Sequence, residues 1–117
     1  MKISDLVVIL EGQVVCCEDK LGCEIGGFAA SDLLSDILAF EQESYALLTG
    51  LTNVQVLRTA EITSAHCVVI LRGKQPQPAA VALARRSGVP LILSDCGMFE
   101  ACCRICRLLD AREKQHG

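Results

Sequence analysis

The side chains best able to do chemistry in this chain are its eight cysteines: Cys16, Cys17, Cys23, Cys67, Cys96, Cys102, Cys103 and Cys106. Thiolates ligate zinc and iron–sulfur clusters. Cys103 and Cys106 form a C-x-x-C, with Cys96 and Cys102 near them in sequence, so these four are the metal-ligating set that the spacing offers; Cys16, Cys17 and Cys23 could add further thiolates. A zinc site usually draws on two short-spaced ligand pairs, and only one C-x-x-C is present. On a helix, Phe99, Cys102, Cys106 and Leu109 recur at i, i+3, i+7 and i+10, which reads as a core stripe with Cys102 and Cys106 packed as small hydrophobes. Cys16 and Cys17, adjacent on a strand, are expected to point to opposite faces and so not to chelate together. The expectation is therefore buried thiols and no cofactor. An iron–sulfur cluster on Cys96, Cys102, Cys103 and Cys106 is the alternative. Cys96 precedes a helix start, where thiol pKa values fall, and is the best candidate for a reactive thiol.

Other chemistry is sparse. The chain carries no G-x-x-x-x-G-K-[ST], no G-x-G-x-x-G and no H-E-x-x-H. His66 is the one histidine outside the tail and sits at a strand start, where a structural role is expected. No self-contained catalytic constellation is evident, so the chain is expected to bind something rather than to be an enzyme.

The elements that would position these groups follow from pattern. Ser4 can cap a helix over residues 5–11 with Ile3 and Val8 as its hydrophobic staple, and Gly12 ends it. Residues 13–17 read as a strand, and 23–25 as a short one. After Gly26-Gly27, a strand resumes at 28–30. Ser31 can then cap a helix with Asp32 at its positive end and Leu33, Leu34, Ile37 and Leu38 as one apolar stripe. Strands at 45–49, 67–71 and 89–93 alternate with helices. Thr52 and Gln55 form a capping-box pattern, while Pro78 and Gly88 bracket the second of these helices. A last helix runs from Met98 to about Arg112, leaving residues 111–117 as a tail that should fray. Short apolar strands joined through helices predict parallel pairing by right-handed crossovers. The fold class is thus α/β, a single layered domain over 1–117 with a largely parallel sheet flanked by helices.

In such sheets, ligands bind beyond the carboxyl ends of the strands. Thr49, Thr52, Asn53, Gly73 and Ser94 are expected to border a shallow pocket there, with Gly26 and Gly27 closing one side. Helix starts at that rim supply free N–H groups, and Arg72 and Lys74 add charge, so a phosphate, carboxylate or nucleotide is the natural guest.

Composition narrows the classes. The chain is 51% hydrophobic and 3% aromatic, with a net charge of −3. It thus lacks the basic footprint of a nucleic-acid binder. No apolar run approaches the roughly 20 residues of a membrane helix, and the short run at 6–10 does not read as a signal peptide. A cytoplasmic location is expected, with no membrane and no nucleic-acid partner. A homodimer is expected from the small, apolar-rich chain, with Phe28, Phe40 and the Leu33/Leu34/Ile37/Leu38 face as the candidate surface.

The stretch Ile25-Gly26-Gly27-Phe28 through Ser31-Asp32-Leu33-Leu34-Ser35-Asp36-Ile37-Leu38-Ala39 resembles the core motif of the DRTGG domain family. Thr49-x-x-Thr52-Asn53, Val68 to Lys74 and Gly88 to Ser94 follow in the family's order, so the resemblance spans nearly the whole chain. Cys23-Glu24-Ile25 stand where the family has Asp-Arg-Thr. The resemblance implies a fold like the N-terminal domain of HPr kinase/phosphorylase. It also implies an accessory role: a non-catalytic regulatory or assembly module that binds a small anionic metabolite, a nucleotide or a protein partner. Stand-alone relatives are encoded near iron-only hydrogenases. That implies a protein partner in redox or hydrogenase metabolism, or alternatively an iron–sulfur or thiol redox protein.

Overall fold

The computed structural model describes residues 1–116. In chain order the elements are α1 (Ile3–Ile9), β1 (Gln13–Cys16), a 3-10 turn (Glu18–Lys20), β2 (Gly27–Ala30), α2 (Leu34–Leu38), β3 (Tyr45–Thr49), α3 (Val54–Ile62), β4 (Cys67–Ile70), α4 (Pro78–Ser87), β5 (Leu91–Leu93) and α5 (Met98–His116). The sheet order is β1-β5-β4-β3-β2. Strands β2 to β5 are parallel, while β1 runs antiparallel to β5 with Gln13 opposite Leu93. The expected layered α/β domain with a largely parallel sheet is what forms, since three of its four neighbour pairs are parallel.

The apolar strands are buried on both faces, and alternation sends successive residues to different layers. On one face Tyr45, Leu47, Val68, Ile70, Leu91 and Leu93 meet Ile37, Val56, Leu57, Ala80 and Ala84 of α2, α3 and α4. On the other, Ala46, Leu48, Cys67, Val69 and Ile92 meet Ile3 and Leu6 of α1 and Ala101 and Ile105 of α5.

Local differences from the sequence reading have physical causes. Helix α1 begins at Ile3, where the Asp5 carboxylate accepts from the Lys2 N–H at 2.8 Å; Ile3 is buried and Val8 is exposed, so the expected Ser4 cap and Ile3–Val8 staple do not form. Glu11 takes the left-handed turn after α1, and Gly12 instead allows close approach: a Cβ there would meet Ile92 at 2.6 Å. Asn53, not Thr52, caps α3 by accepting from the Val56 N–H at 3.2 Å. The stretch 23–25 contributes only a bridge between Lys2 and Glu24. Helix α5 runs past Arg112 to His116, in a stretch rich in helix formers, and Arg112 is tied to Asp5 of α1 at 3.1 Å. Gly117, the end of the expected frayed tail, lies outside the described residues.

Candidate functional site

The parallel register gathers the carboxyl ends of β2, β3, β4 and β5 at one sheet edge. Asp32, just beyond β2, organises it. Its carboxylate accepts from the Gly50 N–H and from Thr49 Oγ1 at 3.3 Å, and pairs with Arg72 at 3.2 Å. The Gly50 N–H above all, then Arg72 and Thr49, hold the Asp32 carboxyl below its ordinary 3.8 against the opposing effect of burial. Arg72 and Gly73 both have positive φ, at 63° and 65°. Their N–H groups donate to the carbonyls of Cys96 and Ser94, at 2.9 and 3.0 Å, so the turn after β4 is fastened to the loop after β5.

The residues expected to border a pocket are brought to this edge, Gly26 and Gly27 excepted, but their polar groups are largely engaged. Thr49 is buried and accepts from the Leu51 N–H at 3.1 Å. Ser94 is buried, donates to the Leu10 carbonyl at 2.7 Å and accepts from the Cys96 N–H at 3.2 Å. Asn53 is the α3 cap, the Thr52 carbonyl accepts from the Gln77 N–H at 2.9 Å, and Gly73 lies in the turn. Gly26 and Gly27 do not close this rim. Gly27 pairs with Tyr45, the first residue of β3, which places both glycines at the amino edge, the full length of the strand away. Asp32 and Ser31 do not serve α2 as expected: Ser31 Oγ accepts from the Leu33 N–H at 3.0 Å ahead of a helix that starts at Leu34.

The thiols follow a different plan from the one the spacing suggested. Ala101 and Ile105 are the core positions of α5; Phe99 is 84% exposed, Cys106 and Leu109 are exposed, and Cys102 is half-buried. The Phe99/Cys102/Cys106/Leu109 stripe is therefore not core. Cys102, Ile105, Cys106 and Leu109 line an apolar groove with Phe28, Ala30 and Leu48, where the sheet face at β2 is left uncovered. Cys17 has a left-handed φ of 64°, which turns its side chain to the same layer as Cys16; the two thiols approach the carbonyls of Ala84 and Val89 at 3.8 and 3.6 Å. Burial, then the neighbouring Cys16, pushes Cys17 up to about 11, and burial pushes Cys67 to about 12. Cys96 packs against the core with Sγ 3.9 Å from the Leu10 carbonyl. Among the described residues no three of His, Cys, Asp and Glu converge to hold a metal ion.

Open space lies beside the carboxyl edge rather than on it. A cavity of about 470 Å³ runs between β1 and α4. Its apolar lining is Val15, Leu93, Pro76, Pro78, Val81 and Ala82, and its polar lining residues are Gln13, Gln75 and Arg85. An arginine and two glutamines around apolar surface are residue types that can hold an anion and read the polar edge of a planar group. Sequence reasoning missed this site because it assigned the strand at 13–17 no neighbour in the sheet. The antiparallel β1, which carries Gln13 to Leu93, leaves no periodicity signal, although the Arg85-Arg86 pair was visible as the chain's densest positive charge outside its C-terminal stretch.

Comparison with known proteins bears on the fold. No protein-family profile matches the chain, and no curated protein matches it in sequence. Among solved structures it is similar to the CBS and DRTGG domains of the regulatory region of Clostridium perfringens pyrophosphatase, determined in complex with the activator diadenosine tetraphosphate. The TM-score is 0.71 at 13% identity, over 89% of this chain and 45% of that one, so the chain spans under half the length of the structure it matches. The fold is DRTGG-like, as the resemblance implied. Among the described residues no helix is long and apolar enough to cross a membrane.

Proposed function

We propose that the chain is a non-catalytic regulatory or assembly module whose ligand is a small anionic metabolite or nucleotide, held in the β1–α4 cavity. The observation that carries this reading is the placement of Arg85, Gln13 and Gln75 around one apolar-floored space of about 470 Å³, within the range typical of small-molecule sites. The likeness to a regulatory region supports it. The test is calorimetry with AMP, ADP, ATP and inorganic phosphate. At least one nucleotide is expected to bind, and Arg85→Ala in a folded protein to weaken it by about tenfold or more. Affinity unchanged in that variant, or no binding at millimolar nucleotide, would remove the metabolite reading and leave a protein partner, such as one of hydrogenase metabolism, as the ligand.

The assembly part rests on the uncovered groove. The surface expected to dimerise is divided: Ile37 is buried, Phe40 packs edge-on against Tyr45 with ring centroids 4.6 Å apart, and only Leu33 and Leu38 stay exposed. The α5 stripe is the better candidate for a two-fold contact, since Phe99 is exposed on it and Leu109 is exposed beside an edge strand, Gly27-Phe28-Ala29-Ala30, that carries no charge and no proline. Light scattering is expected to report a dimer that Phe99→Glu with Leu109→Glu converts to monomer; a monomeric parent protein would refute this.

A further inference from the structure

The amino edge of the sheet holds a second cleft, of about 320 Å³, lined at one side by Ser87 and Gly88 at the end of α4 and sharing no lining residue with the proposed Arg85 site. Helices α3 and α4 both end there, and their last residues, with the 3-10 turn, bring Lys20, Glu61, His66 and Ser87 around a floor of Ala65 and Val89.

Each charged or polar group is anchored once and keeps capacity for a guest. Lys20 Nζ donates to the Gly88 carbonyl at 2.8 Å, so two of its three N–H donors remain. It lies where a side chain at residue 88 would stand: a Cβ on Gly88 would meet Nζ at 2.5 Å. The Glu61 carboxylate accepts from Ser87 Oγ at 2.9 Å and has further lone pairs. His66 Nδ1 lies 2.9 Å from the Glu24 carbonyl. A carbonyl can only accept, so Nδ1 carries the proton, and in the neutral ring Nε2 presents a lone pair. The site thus offers one fixed cation and two acceptors. The carboxyl end of α3, next to Glu61, adds partial negative charge on the acceptor side, while the Gly88 carbonyl at the end of α4 is taken by Lys20.

We infer that this cleft binds a small zwitterion of α-amino-acid type, its carboxylate on Lys20 and its ammonium on Glu61 and His66. An anion alone would meet Glu61 and the carboxyl end of α3. An amine alone would meet the Lys20 ammonium, a like charge. The volume sits at the low end of small-molecule sites, which suits a ligand of this size.

The experiment is amide chemical-shift mapping of the full chain with each proteinogenic L-amino acid, and with butylamine and butyrate as single-charge probes. At least one amino acid is expected to shift the amides of Lys20, Ala65, His66, Ser87 and Gly88 saturably at up to about 10 mM. Lys20→Met and Glu61→Gln, both at exposed positions and so folded, are each expected to weaken it by about tenfold. The proposal is overturned if no amino acid shifts these amides, if binding survives both substitutions, or if butylamine or butyrate binds as tightly as the zwitterion.

Discussion

The two edges of the parallel sheet use similar side chains to opposite ends. At the carboxyl edge Asp32, Thr49, Arg72 and Ser94 are engaged with one another and with backbone groups. At the amino edge Lys20, Glu61 and His66 each make one anchoring bond and face a cleft. The cause lies in the connections. Beyond the carboxyl ends the chain must cross from strand to helix through loops such as residues 71–77, whose backbone groups need partners. At the amino edge helices run into strands through residues 63–66 and 88–90, where cap hydrogen bonds satisfy the carbonyls, as in Val89 N–H to Ala84 at 3.0 Å. Side chains relieved of backbone duty are the ones left to meet a ligand.

Substitutions can break this comparison. The largest effect is expected at the carboxyl edge: Asp32→Ala removes a charged acceptor of three hydrogen bonds and should cost about 2 kcal/mol in urea denaturation, the Arg72 pair contributing little because it is partly exposed. Because the folded pKa of Asp32 lies below 3.8, its stabilisation is present at neutral pH and is lost as the pH falls below 3.8 and through the folded value. The stability difference between parent and Asp32→Ala should therefore shrink below about pH 4. A parent and variant of equal stability at pH 7 would remove the stitching role. A smaller loss, about 1 kcal/mol, is expected for Gly88→Ala, which puts a Cβ at φ 70° and against Lys20. The smallest is Glu61→Gln, within about 0.5 kcal/mol of the parent, since its bond to Ser87 is exposed. A loss there as large as at Asp32 would erase the distinction between the edges.

Much of the architecture was legible. The runs 45–49 and 67–71 and the Pro78/Gly88 brackets place their elements within a residue or so, because uninterrupted apolar runs and terminal proline and glycine are local signals. The strand β1 was legible too, but its antiparallel pairing with β5 was not, since that is decided by tertiary contact. The α5 stripe was read at the right period and the wrong phase: Ala101 and Ile105 look no more apolar than Phe99 and Cys102, and only the position of α1 and the sheet decides which face is covered. Of the site, the carboxyl edge was foreseen and its occupancy was not, because hydrogen bonds such as Asp32 to Gly50 join residues distant in sequence. The amino edge could have been found by the same parallel logic, which sends Glu61 and Ser87 to a common end.

The bond from Ser94 to the Leu10 carbonyl joins groups 84 positions apart. Closing a loop that long costs roughly 4 kcal/mol of chain entropy, whereas the β3–β4 pairing closes a far shorter one. The parallel block from β2 to β5 is therefore the natural early assembly, and α1 with β1 docks onto it late. During synthesis those residues emerge before β5 and α5, so Ile3, Leu6 and Leu10 are expected to stay exposed until the elements they pack against have formed. The segment that carries α1 and β1 is thus expected to dock last.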